Sequence, residues 1–226
     1  VTFMDTFWFS AVEAEVYAAS SCFMALAFWA ILRWERVKHE PTADRWLIFV
    51  AYVVGLGIGL HLLNLLVIPA IIIYYFFNKY EFSRKNLLKA AGIGLGAIAI
   101  LQWGIIPKTP AIAASFDKMF VNGLGLPFNS GLLFFMVLIG VATAFGLYWT
   151  RANAKPIANL VLLCFAFIMI GFSSYSMIVV RSIAEPAIDM NDPEDAYSLL
   201  SYINREQYGE RPLIKGHYWN ARLFTF

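Results

Sequence analysis

Five polar residues stand where an otherwise apolar chain gives them no ordinary surface role: Glu13, Glu15, His61, Asn64 and Arg181. Glu13 and Glu15 occur in FSAVEAEVYA, just ahead of the first long apolar stretch. At about 1.5 Å per residue they sit close to a full bilayer crossing away from the far end of that stretch. Two residues apart on a helix they point in nearly opposite directions, so at most one faces a given cavity and the other needs solvent or a partner. An acidic first turn favoured by the helix dipole accounts for either equally well. His61 and Asn64 lie inside an uncharged run, where a polar side chain faces protein, water or substrate, or else hydrogen-bonds broken backbone. Arg181 follows SSYSMIVV directly. A guanidinium there can clamp a phosphate through two parallel hydrogen bonds and stays charged at any relevant pH. Its alternative is to snorkel at an interface beside Glu185 or Asp189. Ser173, Ser174 and Ser176 have hydrogen bonding within their own helix as the simpler role, and Tyr175 has packing.

The elements that must position these residues are membrane helices. From Trp46 to Phe77 thirty-two residues pass without a charge, with Arg45 before and Lys79 after. That is too long for one crossing and barely enough for two, so the chain goes in and comes back. The turn is expected in GLGIGLHLLN, residues 55–64, which sets His61 and Asn64 near one membrane face in a sheltered cavity. Six apolar segments follow from the hydropathy: 16–32, 46–60, 62–77, 87–106, 131–149 and 157–180. With an extracytoplasmic amino terminus, ten cations fall inside (Arg33, Arg36, Lys38, Arg45, Lys79, Arg84, Lys85, Lys89, Arg151, Lys155) and the short outside segments carry only Lys108 and Lys118. The positive-inside rule therefore puts the carboxy-terminal tail outside as well. Trp29, Trp34, Trp46, Trp103 and Trp149 mark the segment ends as interfacial anchors.

The connection 107–130 is long, and Ile112, Phe116 and Phe120 form an apolar stripe beside Asp117 and Lys118, which predicts an interfacial helix over 111–120. After Val180 the composition turns polar. Asp192, Pro193, Glu194 and Asp195 predict an N-cap, a first-turn proline and an acidic first turn. Leu199, Leu200 and Ile203 supply the apolar face of that helix and Gly209 its stop. One short helix cannot hold itself together in water, so it should pack over the bundle. Arg205, Glu206, Tyr208, Arg211 and Lys215 read as solvated.

With 60% hydrophobic and 14% charged residues, an ordinary soluble domain is excluded. A net charge of +2 without a basic stripe points to no nucleic-acid partner. Cys22 and Cys164 lie in apolar runs without metal-ligand spacing and read as small buried hydrophobes. The loop NGLGLPFNSG lacks the strand-to-helix context of a phosphate-binding motif. The expected organisation is an all-α integral membrane protein: a polytopic helix bundle over 1–180 and an extracytoplasmic tail over 181–226. The start at Val1 reads as an excerpt of a longer polypeptide.

Four stretches, DTFWFSAVEAEVYA, DRWLIFVAYVVGLGIGLHLLNLLVIPA, SSYSMIVVRSIAEPAIDMNDPED and LLSYINREQYGERPL, carry a resemblance in content and in order. Together they resemble a bacterial polytopic membrane family of undefined function that looks like a branch of the GT-C glycosyltransferases, similar to the protein O-mannosyltransferases. The resemblance implies a GT-C type bundle in the bacterial inner membrane. It implies a polyprenyl-phosphate-linked sugar as donor, no covalently bound cofactor, and a secreted protein hydroxyl or a glycan as acceptor. Such a transfer needs a carboxylate for the acceptor proton and cationic groups or a metal for the departing phosphate. Arg181 suits the second role. The family's catalytic acid lies in the first outer loop, which places it upstream of Val1 and leaves Glu13, Glu15, His61 and Asn64 as pocket candidates beside Arg181. No metal-ligand pattern carries over, so metal dependence stays open. A multi-pass transporter or flippase, and a non-catalytic membrane scaffold, are the competing classes.

Overall fold

A computed structural model describes residues 4–12 and 16–209. Glu13, Glu15, Arg211 and Lys215 lie outside the described residues. The described chain is helical, without a strand. A short helix α1 (Asp5–Val12) is followed by α2 (Val16–Val37), α3 (Asp44–Leu60), α4 (Val67–Lys79), α5 (Arg84–Ala99), α6 (Ile106–Lys118), α7 (Ser130–Ala152), α8 (Pro156–Phe172), α9 (Ser176–Ser182) and α10 (Ala196–Asn204). Five helical stretches are long and apolar enough to cross a membrane: Val16–Val37, Leu62–Lys79, Arg84–Gly123, Ser130–Ala152 and Pro156–Ser182. The chain is a membrane protein.

The uncharged run does fold back. At one end of the bundle, the Lys38 ammonium donates to the Asn78 side chain at 2.8 Å, the Tyr74 hydroxyl donates to Glu35, and Trp34 lies against Tyr75 at 4.8 Å. At the other end Tyr17, at the start of α2, lies against His61 with ring centroids 5.5 Å apart. Helices α2 and α4 therefore run parallel, and α3 runs between them in the opposite direction. Lys38, Lys79, Arg84, Arg151 and Lys155 gather at the first of these ends, called here the basic end, and the tail leaves from the other.

The turn itself is tighter than residues 55–64. Helix α3 continues to Leu60, His61 is its extended C-cap, and a 3-10 turn (Leu62–Leu66) leads into α4. Gly55, Gly57 and Gly59 are interior helix positions where neighbours come close. A Cβ at Gly57 would lie 3.0 Å from Asn64, and one at Gly59 would lie 2.6 Å from the Ser174 hydroxyl. Gly55 faces Gly171, so α3 and α8 touch backbone to backbone. These two helices run side by side in the same direction, with Tyr52 against Phe167 at 6.3 Å. Such small-residue contacts replace the hydrophobic drive that lipid cannot supply. Helix α3, at 17 residues, is about 25 Å long. It is shorter than the five crossing stretches, but its Val50, Ala51, Val53, Val54 and Ile58 are buried by protein.

The expected break between the segment 87–106 and an interfacial helix is absent. Residues Arg84–Gly123 form one helical stretch of 40 residues, with π-helical turns at Ile100–Ile105 and Met119–Gly123. Pro107 follows the first π turn directly, in the opening turn of α6, where a missing N–H costs least. The Thr109 hydroxyl donates back to the Ile105 carbonyl at 2.6 Å, so backbone that the prolines disturb is re-satisfied locally. The apolar stripe turns partly inward, with Phe116 and Phe120 packed on Phe134 of α7. Two further expectations change. Trp34 is a core residue, 3% exposed, because its ring is sandwiched toward α4 rather than toward an interface. Cys22 is exposed on α2, whereas Cys164 is half-buried against α3.

Candidate functional site

His61 and Asn64 form one unit. The His61 Nδ1 accepts from the Leu63 N–H at 3.1 Å, and its carbonyl accepts from both the Asn64 N–H and the Asn64 Nδ2, each at 3.0 Å. The same Nδ2 also donates to the Gly57 carbonyl at 2.8 Å. The 3-10 turn thus closes onto the last turn of α3 through one amide. Asn64 is 2% exposed, and its Oδ1 has no hydrogen-bond partner among the described residues. Asn64→Ala should cost about 2 kcal/mol through two lost hydrogen bonds and a small cavity. Asn64→Asp should cost more, because a buried carboxylate would face two carbonyl oxygens. Thermal unfolding in detergent orders the two variants; Asp no worse than Ala would overturn the stapling role.

Arg181 lies at the tail end of the bundle, opposite Arg84 and Lys85. It is exposed, with no ion pair to a carboxylate among the described residues. Of its two expected tail partners, Glu185 and Asp189, the second is engaged elsewhere. The buried Ser182 hydroxyl donates to Asp189 at 2.5 Å and lies 3.2 Å from Asp192. The structure brings Arg181 to the same end as His61 and Asn64 without a hydrogen bond to either. The Ser173 hydroxyl donates to Ile170 within its own helix at 2.6 Å.

The tail packs on the bundle through α10. Its N-cap is Asp195, three residues later than Asp192, with a reciprocal capping box to Ser198. The delay arises because Asn191 and Asp192 hold left-handed backbone and Pro193 is buried, which bends the chain before the helix can start. Arg205 ends the helix in left-handed conformation, and Gly209 follows a final 3-10 turn. The Tyr197 hydroxyl donates to the Ala114 carbonyl at 2.8 Å, and Ala196 is buried with Ala113, Ala114 and Phe135. Ile203 reaches the main core. Asp192 first, then desolvation and the carboxylates of Glu185, Asp189 and Asp195, hold the Glu194 carboxyl above its ordinary range. A carboxyl that binds its proton more tightly when folded favours the packed tail at low pH, and that contribution fades as pH rises through the raised value. Proteolysis between Arg181 and Asp195 should therefore quicken as pH climbs from below the ordinary glutamate range; cleavage slowing over that interval would contradict it.

Between α6 and α10 lies a cleft of about 250 Å³, lined by Asp117, Lys118, Val121, Asn122, Phe128 and Tyr197. Asp117 is the buried carboxylate among the described residues, 8% exposed. Its Oδ1 accepts from the Gly131 N–H at 3.0 Å. Gly131 is required there, since a Cβ would overlap the backbone of Phe116 and Asp117. In the sequence Asp117 stands beside the apolar stripe of the expected interfacial helix and is not singled out as a site residue. The available signal was a lone acid in a connection otherwise poor in charge. No group of three or more metal-ligating side chains gathers among the described residues.

Residues 1–84 match the family model described as Protein O-mannosyl-transferase TMEM260 N-terminal domain. That part of the chain covers α1 to α4, including the hairpin with His61 and Asn64. No curated protein and no solved structure matches the chain.

Proposed function

We propose that the chain is part of a membrane glycosyltransferase of GT-C type that moves a mannose-like sugar from a polyprenyl-phosphate carrier to a Ser or Thr hydroxyl of a secreted protein, or to a glycan. The match of residues 1–84 to an O-mannosyl-transferase domain carries this reading. In it α3 is a sixth crossing, the basic end is cytoplasmic by the positive-inside rule, and the tail end faces outward in a bacterial plasma membrane. The acceptor oxygen attacks the anomeric carbon, the bond from that carbon to the phosphate oxygen breaks, and a carboxylate takes the acceptor proton. Arg181 neutralises the departing polyprenyl phosphate. His61 and Asn64 border the same outer face, and Glu13 and Glu15 keep their place as pocket candidates in this reading.

The test is the full-length parent in proteoliposomes with radiolabelled polyprenyl-phosphate mannose and a secreted Ser/Thr-rich acceptor. Label in the acceptor is the expected result. Sugar entering the vesicles without transfer would replace the reading with a transporter, and neither activity would leave a scaffold.

A further inference from the structure

We propose that the cleft between α6 and α10 is a binding subsite for one uncharged sugar unit, in which Asp117 accepts from sugar hydroxyls and Phe128 covers the apolar face of the ring. The assignment rests on the transferase reading for its biological context, but its chemistry stands on the cleft. At about 250 Å³ the space falls just below the roughly 300–1,000 Å³ of pockets for drug-sized ligands, which is the scale of a monosaccharide. The bond from Gly131 is the only one to the Asp117 carboxylate among the described residues. A carboxylate can accept about four. The residue is more than nine-tenths buried yet lines the cleft, so its unused acceptor positions are presented there, where a ligand rich in hydroxyl donors can take them up.

The other walls fit the same ligand. Phe128 is 82% exposed on the turn that follows Gly125, an apolar ring held at the cleft edge and left open by the described residues. The Asn122 amide and the Lys118 ammonium add donors for ring and hydroxyl oxygens. Tyr197 has spent its hydroxyl on Ala114 and contributes its ring, so docking of the tail completes the wall. One carboxylate and one ammonium leave the lining without net charge. A phosphate would be repelled by Asp117, whereas a neutral polyol is not.

Saturation-transfer NMR on the full chain in nanodiscs, with methyl mannoside as the probe, tests this directly. The wild type should transfer saturation to the sugar. Asp117→Asn, which keeps the acceptor for Gly131, and Phe128→Ala, which alters an exposed ring, should each weaken binding by at least about tenfold with unchanged thermal unfolding. No signal from the wild type, binding that both variants retain, or a response to inorganic phosphate in place of the sugar would overturn the subsite. Transfer activity in the full-length parent separates the two proposals. Sugar binding that depends on Phe128, in a protein without transfer, keeps the subsite and removes the enzyme. Transfer untouched by both substitutions removes the subsite alone.

Discussion

Gly171→Val should abolish the folded bundle, because no side chain fits where α8 crosses α3. A Cβ at position 171 would lie 2.5 Å from the Tyr52 carbonyl oxygen and 2.6 Å from the Leu56 nitrogen. Both are backbone atoms inside a helix and cannot swing away. From the other side Gly55 meets the Ile168 carbonyl in the same manner. Overpacking against side chains costs about 1–3 kcal/mol, and more when the obstacle cannot move. Valine should therefore cost above about 3 kcal/mol, a large share of the roughly 5–15 kcal/mol that holds a typical fold together. The damage would spread, because the buried residues of α3 depend on α8 and α2 for cover. Gly171→Ala should show part of the effect, and Gly140→Ala, with nothing within 4 Å of its Cβ, should show none or a slight gain. Thermal unfolding and size-exclusion profiles in detergent measure all three. A Gly171→Val protein as stable as the Gly140→Ala protein would mean that the two helices do not touch there.

What the sequence could and could not say follows from what each signal measures. Charge spacing measures desolvation, and the thirty-two uncharged residues from Trp46 to Phe77 leave no arrangement but an excursion and return. Glycine is ambiguous: it breaks helices in water, yet in a membrane it lets them approach. Gly55, Gly57 and Gly59 therefore read as a turn when they are close-contact positions, and the extended His61 with the 3-10 turn Leu62–Leu66 does the turning. Proline is ambiguous in a related way. Pro107 and Pro110 read as the end of a crossing, but a π turn and the Thr109 hydroxyl absorb the disturbance and the helix runs on to Gly123. The stripe of Ile112, Phe116 and Phe120 gives no sign that Asp117 beside it is buried. Only the approach of α7 at Gly131 and of Tyr197 from the distant tail encloses it, and both are long-range events that no local pattern encodes. The helix after Asp195 was legible because capping is local chemistry, apart from a delay of three residues set by the buried Pro193.

Arg181→Ala should reduce sugar transfer by the full-length parent about 10²–10³-fold while leaving its unfolding temperature unchanged, on the transferase reading above. The two halves of that outcome have separate causes. Arg181 is exposed and makes no ion pair among the described residues, so truncating it removes no contact on which the bundle depends. Its neighbour Ser182 keeps the tail attached through Asp189 and Asp192. Its charge matters only when a polyprenyl phosphate departs, since the leaving group is more anionic in the transition state than in the bound donor. An interaction made mainly in the transition state lowers kcat and leaves KM for the donor little changed. Arg181→Lys should recover part of the loss, because an ammonium keeps the charge without the two-pronged geometry of a guanidinium. Equal losses for Ala and Lys would make the pronged geometry, rather than the charge, the requirement. Full activity in Arg181→Ala would remove this residue from the reaction and leave the phosphate to a metal or to another cation. A large fall in unfolding temperature would instead return Arg181 to a structural place at the membrane face, paired with a group that forms only in the assembled protein.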